Sequence, residues 1–185
     1  MSKATVVTRA AMDIRQYEKG ETRMSQLTRT PSVSTGVLIR RSPHDVFEAL
    51  ADPAITTRFW YTKSSGRMEE GAELTWEWEM YRTSGKVWVE DVEADRHIRF
   101  SWEGYDPAHP TTVEFLFIPY ENDTTYVRIT ETGFSGDADT QVSRALESTA
   151  GFTFVLSSLK AALEHDITLR VTMDAHPPNL QMPPQ

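Results

Sequence analysis

The stretch that decides the fold of this chain reads Glu73-Leu74-Thr75-Trp76-Glu77-Trp78-Glu79-Met80. Its apolar and polar side chains alternate with a period of two, which is the pattern of a β-strand with one buried and one solvated face. The apolar face carries Leu74, Trp76, Trp78 and Met80, and the acidic face carries Glu73, Glu77 and Glu79. We therefore predict a half-buried strand whose glutamate row faces water.

The same period continues on the C-terminal side of this stretch. Further strands are predicted at residues 86–92, 98–102, 113–118 and 125–132. Turn residues separate them at Gly85, at Asp95, at residues 106–107 and at residues 121–123. Turns this short join antiparallel strands, because parallel strands need a long crossover. The region from about residue 66 to residue 132 is thus predicted to be an antiparallel meander.

Upstream, one more strand and two short helices are predicted. A β-branched run at residues 37–39 is followed by Ser42 and Pro43, a helix N-cap and a proline at the first helical position. Val46, Phe47 and Leu50 share one face of this helix. Residues 52–54 then end it and open a second short helix.

Downstream, the period changes to that of a long helix. Apolar residues recur at intervals of three and four up to about His165, namely Val142, Leu146, Thr149, Phe152, Leu156, Leu159 and Leu163. A helix of about seven turns would cover the sheet. Gly151 lies inside this helix, where glycine is less favourable than alanine. We therefore expect Gly151 to mark a close approach to another element or the wall of a pocket.

Length and composition fit a single domain with two tails. The chain has 185 residues, of which 39% are hydrophobic and 25% are charged. We assign residues 1–34 to a flexible N-terminal tail, residues 35–172 to the domain and residues 173–185 to a Pro-rich C-terminal tail. Met24 could be the true start. Because the sequence has neither a long apolar run nor a secretory signal, we expect a cytoplasmic protein.

Charge and motif content exclude several functional classes. Residues 1–33 hold six basic and three acidic side chains, a net charge of +3. Since the whole chain has a formal net charge of −8, the remaining residues carry −11. An acidic body argues against nucleic acid, and the basic tail has no amphipathic stripe for a membrane surface. Cysteine is absent, and the five histidines lack metal-ligand spacing, so no metal or cofactor is expected. A nucleophile elbow and a phosphate-binding loop are absent too.

The order of these elements, together with several motifs, resembles a known superfamily. The motifs are residues 42–53, 59–60, 71–78 and 89–102, and Gly151-Phe152 ahead of Leu156, Leu159 and Leu163. They resemble the SRPBCC (START-like) superfamily and, within it, the family named after the activator of the 90-kDa heat-shock protein ATPase. The resemblance implies an α+β helix-grip fold, in which a curved antiparallel sheet of about six or seven strands packs on the C-terminal helix around a cavity. Phe152 departs from the Trp often found after that Gly.

Aromatic side chains are the main candidates for the wall of such a cavity. Large rings bury much apolar area with few torsions, so they could line a pocket, but they could equally fill the core. Together with one carboxylate and one aliphatic residue, the ligand-binding candidates are Trp60, Trp76, Trp78, Trp102, Phe115, Phe117, Glu131, Phe152 and Leu156.

Glu131 is the one ionisable candidate for the inner face. It lies in phase with Val127 and Ile129 on a predicted strand. A partly buried carboxylate there could hold a polar group of a ligand or move protons. Alternatively, it could sit at the strand end, solvated at the pocket mouth or paired with an arginine.

Three functions remain open at this point. The first is a START-like domain, monomeric or homodimeric, that binds a small apolar or aromatic ligand without catalysis. The second, from the family resemblance, is a chaperone cofactor of the stress response that acts through a protein-interaction surface. The third is an enzyme of the cyclase or dehydratase type, as elsewhere in the superfamily, in which a pocket carboxylate would move protons.

Overall fold

A computed structural model describes residues 28–177 and residue 180. Most of the two predicted tails, and the alternative start at Met24, lie outside the described residues. The first strand begins at Val33 and the last short helix ends at Asp174, so regular structure reaches two residues beyond each predicted domain limit.

The described chain alternates short helices, strands and one long helix. In chain order the elements are β1 (Val33–Ile39), α1 (Pro43–Ala51), α2 (Pro53–Thr56), β2 (Lys63–Ser64), β3 (Glu73–Trp78), β4 (Thr83–Glu93), β5 (His97–Trp102), β6 (Thr111–Tyr120), β7 (Thr124–Thr132), α3 (Ala138–His165) and α4 (Val171–Asp174). This confirms the predicted α+β helix-grip fold, with two short helices after the first strand and a long C-terminal helix.

All seven strands form one antiparallel sheet. The order across it is β1-β7-β6-β5-β4-β3-β2. The meander runs from β2 to β7, and β1 joins its far edge by pairing with β7, with Val33 opposite Glu131. A register shift between Val89 and Asp91 bends β4, as a bulge does.

The two short helices begin with side-chain caps, as their sequences predict. Ser42 Oγ accepts a hydrogen bond from the Asp45 backbone N–H at 3.2 Å. Asp52 Oδ1 likewise accepts from the Ala54 N–H at 2.8 Å, so Asp52 ends α1 and caps α2. Phe47 of α1 packs edge-to-face on Phe117 of β6, with ring centroids 5.6 Å apart, which fixes α1 against the sheet.

The turn between β3 and β4 differs from the prediction. Gly85 was expected in that turn, but it lies within β4 opposite Trp76. A 3-10 turn at Glu79–Tyr81, followed by Arg82 in the left-handed region at φ 51°, makes the reversal. Met80 therefore leaves the apolar face of β3, which ends at Trp78.

The inner face of α3 also differs from the prediction at its N-terminal end. Leu146 is 66% exposed and Val142 is 38% exposed. The buried positions in these first turns are instead the small residues Ala145 and Ser148. Small side chains suffice there because Ser148 reaches the sheet directly through a hydrogen bond to Glu131. From Phe152 onward the predicted face is buried, at Leu156 and Leu159.

Candidate functional site

An open cleft lies between α3 and the β3–β5 end of the sheet. Its volume is about 470 Å³. The sheet contributes Trp78 and the 83–85 segment of β4, and the segment 102–105 adds the last residue of β5 and the three residues after it. α3 contributes residues between Glu147 and Val155, and the C-terminal segment closes one side with Thr172, Ala175 and His176.

Four of the predicted ligand-binding residues meet at this cleft. They are Trp60, Trp78, Trp102 and Phe152. The Trp102 ring is the centre of the group, with centroid distances of 6.4 Å to Trp60, 6.3 Å to Trp78 and 6.1 Å to Phe152. Their tilted and edge-on contacts are the arrangements that aromatic quadrupoles favour. The cleft therefore has a continuous aromatic wall.

The other predicted apolar residues lie behind that wall. Trp76 and Phe115 are fully buried, and Phe117 and Leu156 are 2% and 3% exposed. Phe115 packs on Trp60 at 5.9 Å and on Phe152 at 6.3 Å. Trp76 and Phe115 thus support the rings of the wall from the core. The strand and helix periods assigned these residues to the inner faces of their elements, but a period does not distinguish the depth of a side chain within a face.

Glu131 is buried and lies between the sheet and α3. Its Oε1 accepts hydrogen bonds from Trp102 Nε1 at 2.9 Å and from Thr111 Oγ1 at 2.5 Å. Its Oε2 accepts from the hydroxyl of Ser148. Glu131 is 0% exposed and is absent from the cleft lining. Its position is thus inward, as predicted, but its partners are neutral donors of the protein itself.

Among the cleft residues that the sequence analysis did not identify, Ser148 and Tyr105 relate to this carboxylate. Ser148 lies four residues before Phe152, so the helical period could have identified it. Tyr105 lies in the loop after β5, where no period applies. Burial raises the pKa of the Tyr105 hydroxyl above its usual range, and the negative charges of Glu131 and Glu147 raise it further.

The C-terminal segment is held to the cleft by Tyr81. The Tyr81 hydroxyl donates to the backbone carbonyls of Thr172 at 2.6 Å and Met173 at 3.1 Å. The Tyr81 ring also packs edge-on against His176 at 5.9 Å. Because Tyr81 stands in the 3-10 turn after β3, this turn fastens α4 as one side of the cleft.

Gly151 of α3 lies at the cleft. Gly151 belongs to the cleft lining, and a Cβ built on it would meet no atom within 4 Å. Of the two expected roles, the structure agrees with the pocket wall and not with a close approach.

Within the described residues, no cluster of three His, Asp or Glu could hold a metal. None of the helices described is long and apolar enough to cross a bilayer.

Comparison with known families gives one match over most of the folded region. The family model described as Activator of Hsp90 ATPase homolog 1-like protein matches residues 40–164. No curated protein matches the chain.

Several solved structures are similar to this chain. Protein SSP2350 from Staphylococcus saprophyticus is 32% identical, with a TM-score of 0.64, over 76% of this chain and 96% of that one. The Aha1 dimer from Colwellia psychrerythraea is 20% identical, with a TM-score of 0.62, over 73% of this chain and 97% of that one. DynU16, from the dynemicin biosynthetic locus, is 19% identical, with a TM-score of 0.64, over 74% of this chain and 48% of that one. The last two likenesses concern the fold alone.

Proposed function

This chain belongs to the family of Activator of Hsp90 ATPase homolog 1-like proteins, and from this premise we propose that it binds a small apolar or aromatic ligand in the cleft between the sheet and α3. The observation that carries the proposal is the aromatic wall of the cleft, made by Trp60, Trp78, Trp102 and Phe152. A volume of about 470 Å³ lies in the range of small-molecule sites, about 300 to 1,000 Å³.

The binding free energy would come from covering that wall. Trp78 and Trp102 are only partly buried, although both pack against the core. Indole faces left in contact with water are a source of favourable free energy when an apolar group replaces the water. A ring stacked on Trp102 would contact both neighbours of that indole, Trp78 and Phe152, at the same time.

The wall is also held in place before any ligand arrives. Glu131 accepts the indole N–H of Trp102, and that hydrogen bond fixes the plane of the ring. It also accepts a hydrogen bond from the Ser148 hydroxyl, which ties α3 to the same carboxylate. A preorganised site loses less conformational entropy on binding. We therefore assign Glu131 a positioning role, in place of the proton transfer that the enzyme alternative requires.

Filling the cleft tests the proposal. We expect isothermal titration calorimetry with 1-naphthalenemethanol, a neutral aromatic probe, to give a Kd below about 1 mM. Ala150→Trp would place an indole in the cleft and should abolish the heat of binding. Leu146→Trp is the matched control, since Leu146 is a 66% exposed position of α3 outside the cleft lining. Equal binding by all three proteins, or none by the wild type, would contradict the proposal.

A second candidate, the protein-interaction function of a chaperone cofactor, is favoured by an apolar patch on the outer face of the sheet. Ile118 and Tyr126 stand opposite each other on β6 and β7 and are 40% and 39% exposed, with Tyr120 nearby at 57%. If this function holds, the protein should raise the ATPase rate of an Hsp90 chaperone. Ile118→Lys should remove that effect, whereas Ala150→Trp should leave it intact.

A further inference from the structure

We propose that the ligand of the cleft is a cation, a small amine whose ammonium group is attached to an apolar or aromatic body. This inference rests on the proposed function, because it assigns a charge to the ligand of the same cleft. It starts from two carboxylates among the lining residues, Glu103 and Glu147, which we call the carboxylate pair.

The carboxylate pair approaches the cleft from two different elements. Glu103 follows directly after β5, and Glu147 stands on α3 one residue before Ser148. Among the described residues that line the cleft, no lysine or arginine is present, and the imidazole of His176 is the one basic group. The formal charge of the described lining is therefore negative.

Neither member of the pair is neutralised by an ion pair within the described part of the chain. Glu103 Oε2 accepts a hydrogen bond from the backbone N–H of Lys86 at 3.0 Å. Glu147 Oε1 accepts from the Ser143 hydroxyl at 3.2 Å. Both partners are neutral groups, so they restrain the position of each carboxylate without placing a positive charge beside it. Glu48 differs, since both terminal nitrogens of the Arg67 guanidinium donate to it.

The guanidinium of Arg144, beside the cleft residue Tyr105, is directed elsewhere. Arg144 lies over the ring of Tyr105, with its Cζ 5.8 Å from the centroid. Its Nη1 donates to both the carbonyl and the hydroxyl of Ser135, at 3.0 and 2.8 Å. Arg144 does not belong to the cleft lining. It reduces the negative potential beside Tyr105 but forms no salt bridge with the carboxylate pair.

The surroundings of the Tyr105 hydroxyl show the same charge balance. Burial is the main reason why the pKa of this phenol is raised; the charges of Glu131 and Glu147 raise it further, and Arg144 lowers it by less. Burial disfavours any ion, but the charges of the carboxylates oppose an anion and favour a cation in the same place.

The aromatic wall adds a second attraction for a cation. The faces of tryptophan and tyrosine rings carry negative charge density and attract an ammonium group within about 6 Å. Trp78, Trp102 and Tyr105 all line the cleft together with the carboxylate pair. An apolar carboxylic acid would meet the opposite interaction from the same groups, and a neutral ligand would gain only from the burial of its apolar surface.

Three probes that share one ring system and differ in charge test this inference. They are 1-naphthylmethylamine, 1-naphthalenemethanol and 1-naphthoic acid, each titrated calorimetrically into the wild-type protein at pH 7 and low ionic strength. We expect the amine to bind about tenfold more tightly than the alcohol, and the acid to bind more weakly than the alcohol. The preference should shrink in salt, since the carboxylate pair is solvent-accessible.

The variants Glu103→Gln and Glu147→Gln assign the charge preference to the carboxylate pair. Each should weaken amine binding about threefold, and the double variant more, whereas binding of the uncharged alcohol should change by less than amine binding does. Glu121→Gln, at an exposed turn between β6 and β7, is the control and should change neither. If the alcohol or the acid binds the wild type as tightly as the amine, the cation inference is wrong, but the proposed binding of a small aromatic molecule in the cleft still holds. If none of the three binds, the proposed function itself is wrong.

Discussion

Glu131 is the residue on which the geometry of the cleft depends. It joins three elements, since its donors Trp102, Thr111 and Ser148 come from β5, β6 and α3. The strand period predicted that its side chain points inward. The identity of its donors could not be predicted, because all three are distant in sequence and come together only when the sheet closes on the helix.

Removing this carboxylate should destabilise the fold in proportion to the donors that lose their acceptor. Glu131→Ala leaves the buried hydroxyls of Thr111 and Ser148 and the partly buried indole N–H of Trp102 without their acceptor, and should lower the free energy of unfolding by about 3–5 kcal/mol. Glu131→Gln keeps one acceptor oxygen and should cost about 1–2 kcal/mol. Urea denaturation measures both. The exposed Glu121→Gln serves as the control, and a loss below 1 kcal/mol for Glu131→Ala would contradict the assigned role.

Tyr61 gives a pH dependence with a definite sign. Its ring is 1% exposed and stacks on Trp76, and burial raises the pKa of its hydroxyl from 10.0 to about 12. The unfolded chain ionises first as the pH rises, so the stabilisation is complete below pH 10 and is lost between pH 10 and pH 12. We expect wild type to lose on the order of 2 kcal/mol more than Tyr61→Phe over this interval. If the urea midpoints of wild type and Tyr61→Phe decrease by the same amount between pH 10 and pH 12, this expectation is wrong.

At the scale of elements, α3 shows what helical spacing predicts and what it does not. The period located the helix and its buried half from Phe152 onward. In the first turns the large residues Val142 and Leu146 are exposed, while Ala145 and Ser148 face inward. Hydrophobicity alone could not identify this stretch of the inner face, because a small residue and a serine bound to a buried carboxylate occupy it.

Gly151 in the middle of α3 offers a test at this scale. Nothing lies within 4 Å of a Cβ at this position, so no steric cost accompanies a methyl group. Gly151→Ala should therefore stabilise the protein by about 0.5–1 kcal/mol through helix propensity. Ala150→Gly, at the neighbouring exposed position, should have the opposite effect of similar size. A destabilising Gly151→Ala in urea denaturation would mean that the glycine is needed for packing.

The Tyr81 hydroxyl is one of the groups that hold the short helix α4. Tyr81→Phe removes the donor that binds the carbonyls of Thr172 and Met173. A loss of about 1 kcal/mol would speed hydrogen exchange at the amides of Met173 and Asp174 about fivefold. Tyr120→Phe, at a ring that is 57% exposed, is the matched control. Unchanged exchange in Tyr81→Phe would show that α4 is held by other contacts.

For the whole molecule, the architecture was predictable and the site only in part. Residues 73–80 and the periodic runs after them were enough to predict a meander under one long helix, because period and turn residues are local properties. Trp60, Trp78, Trp102 and Phe152 meet at the cleft, whereas Trp76 and Phe115 of the same predicted set lie in the core behind it. Local pattern could not separate these groups, since the position of the cleft follows from how far α3 stands from the sheet.

The account depends most on the claim that the aromatic cleft, rather than the outer face of the sheet, binds small apolar molecules. Amide chemical-shift mapping during titration with 1-naphthalenemethanol tests it directly. We predict that the largest shifts fall on cleft amides, including Gly85, Gly104, Ser148 and Gly151, and that Ala150→Trp abolishes them. Shifts confined to the outer-face patch of Ile118, Tyr120 and Tyr126, or no shifts at all, would contradict the account.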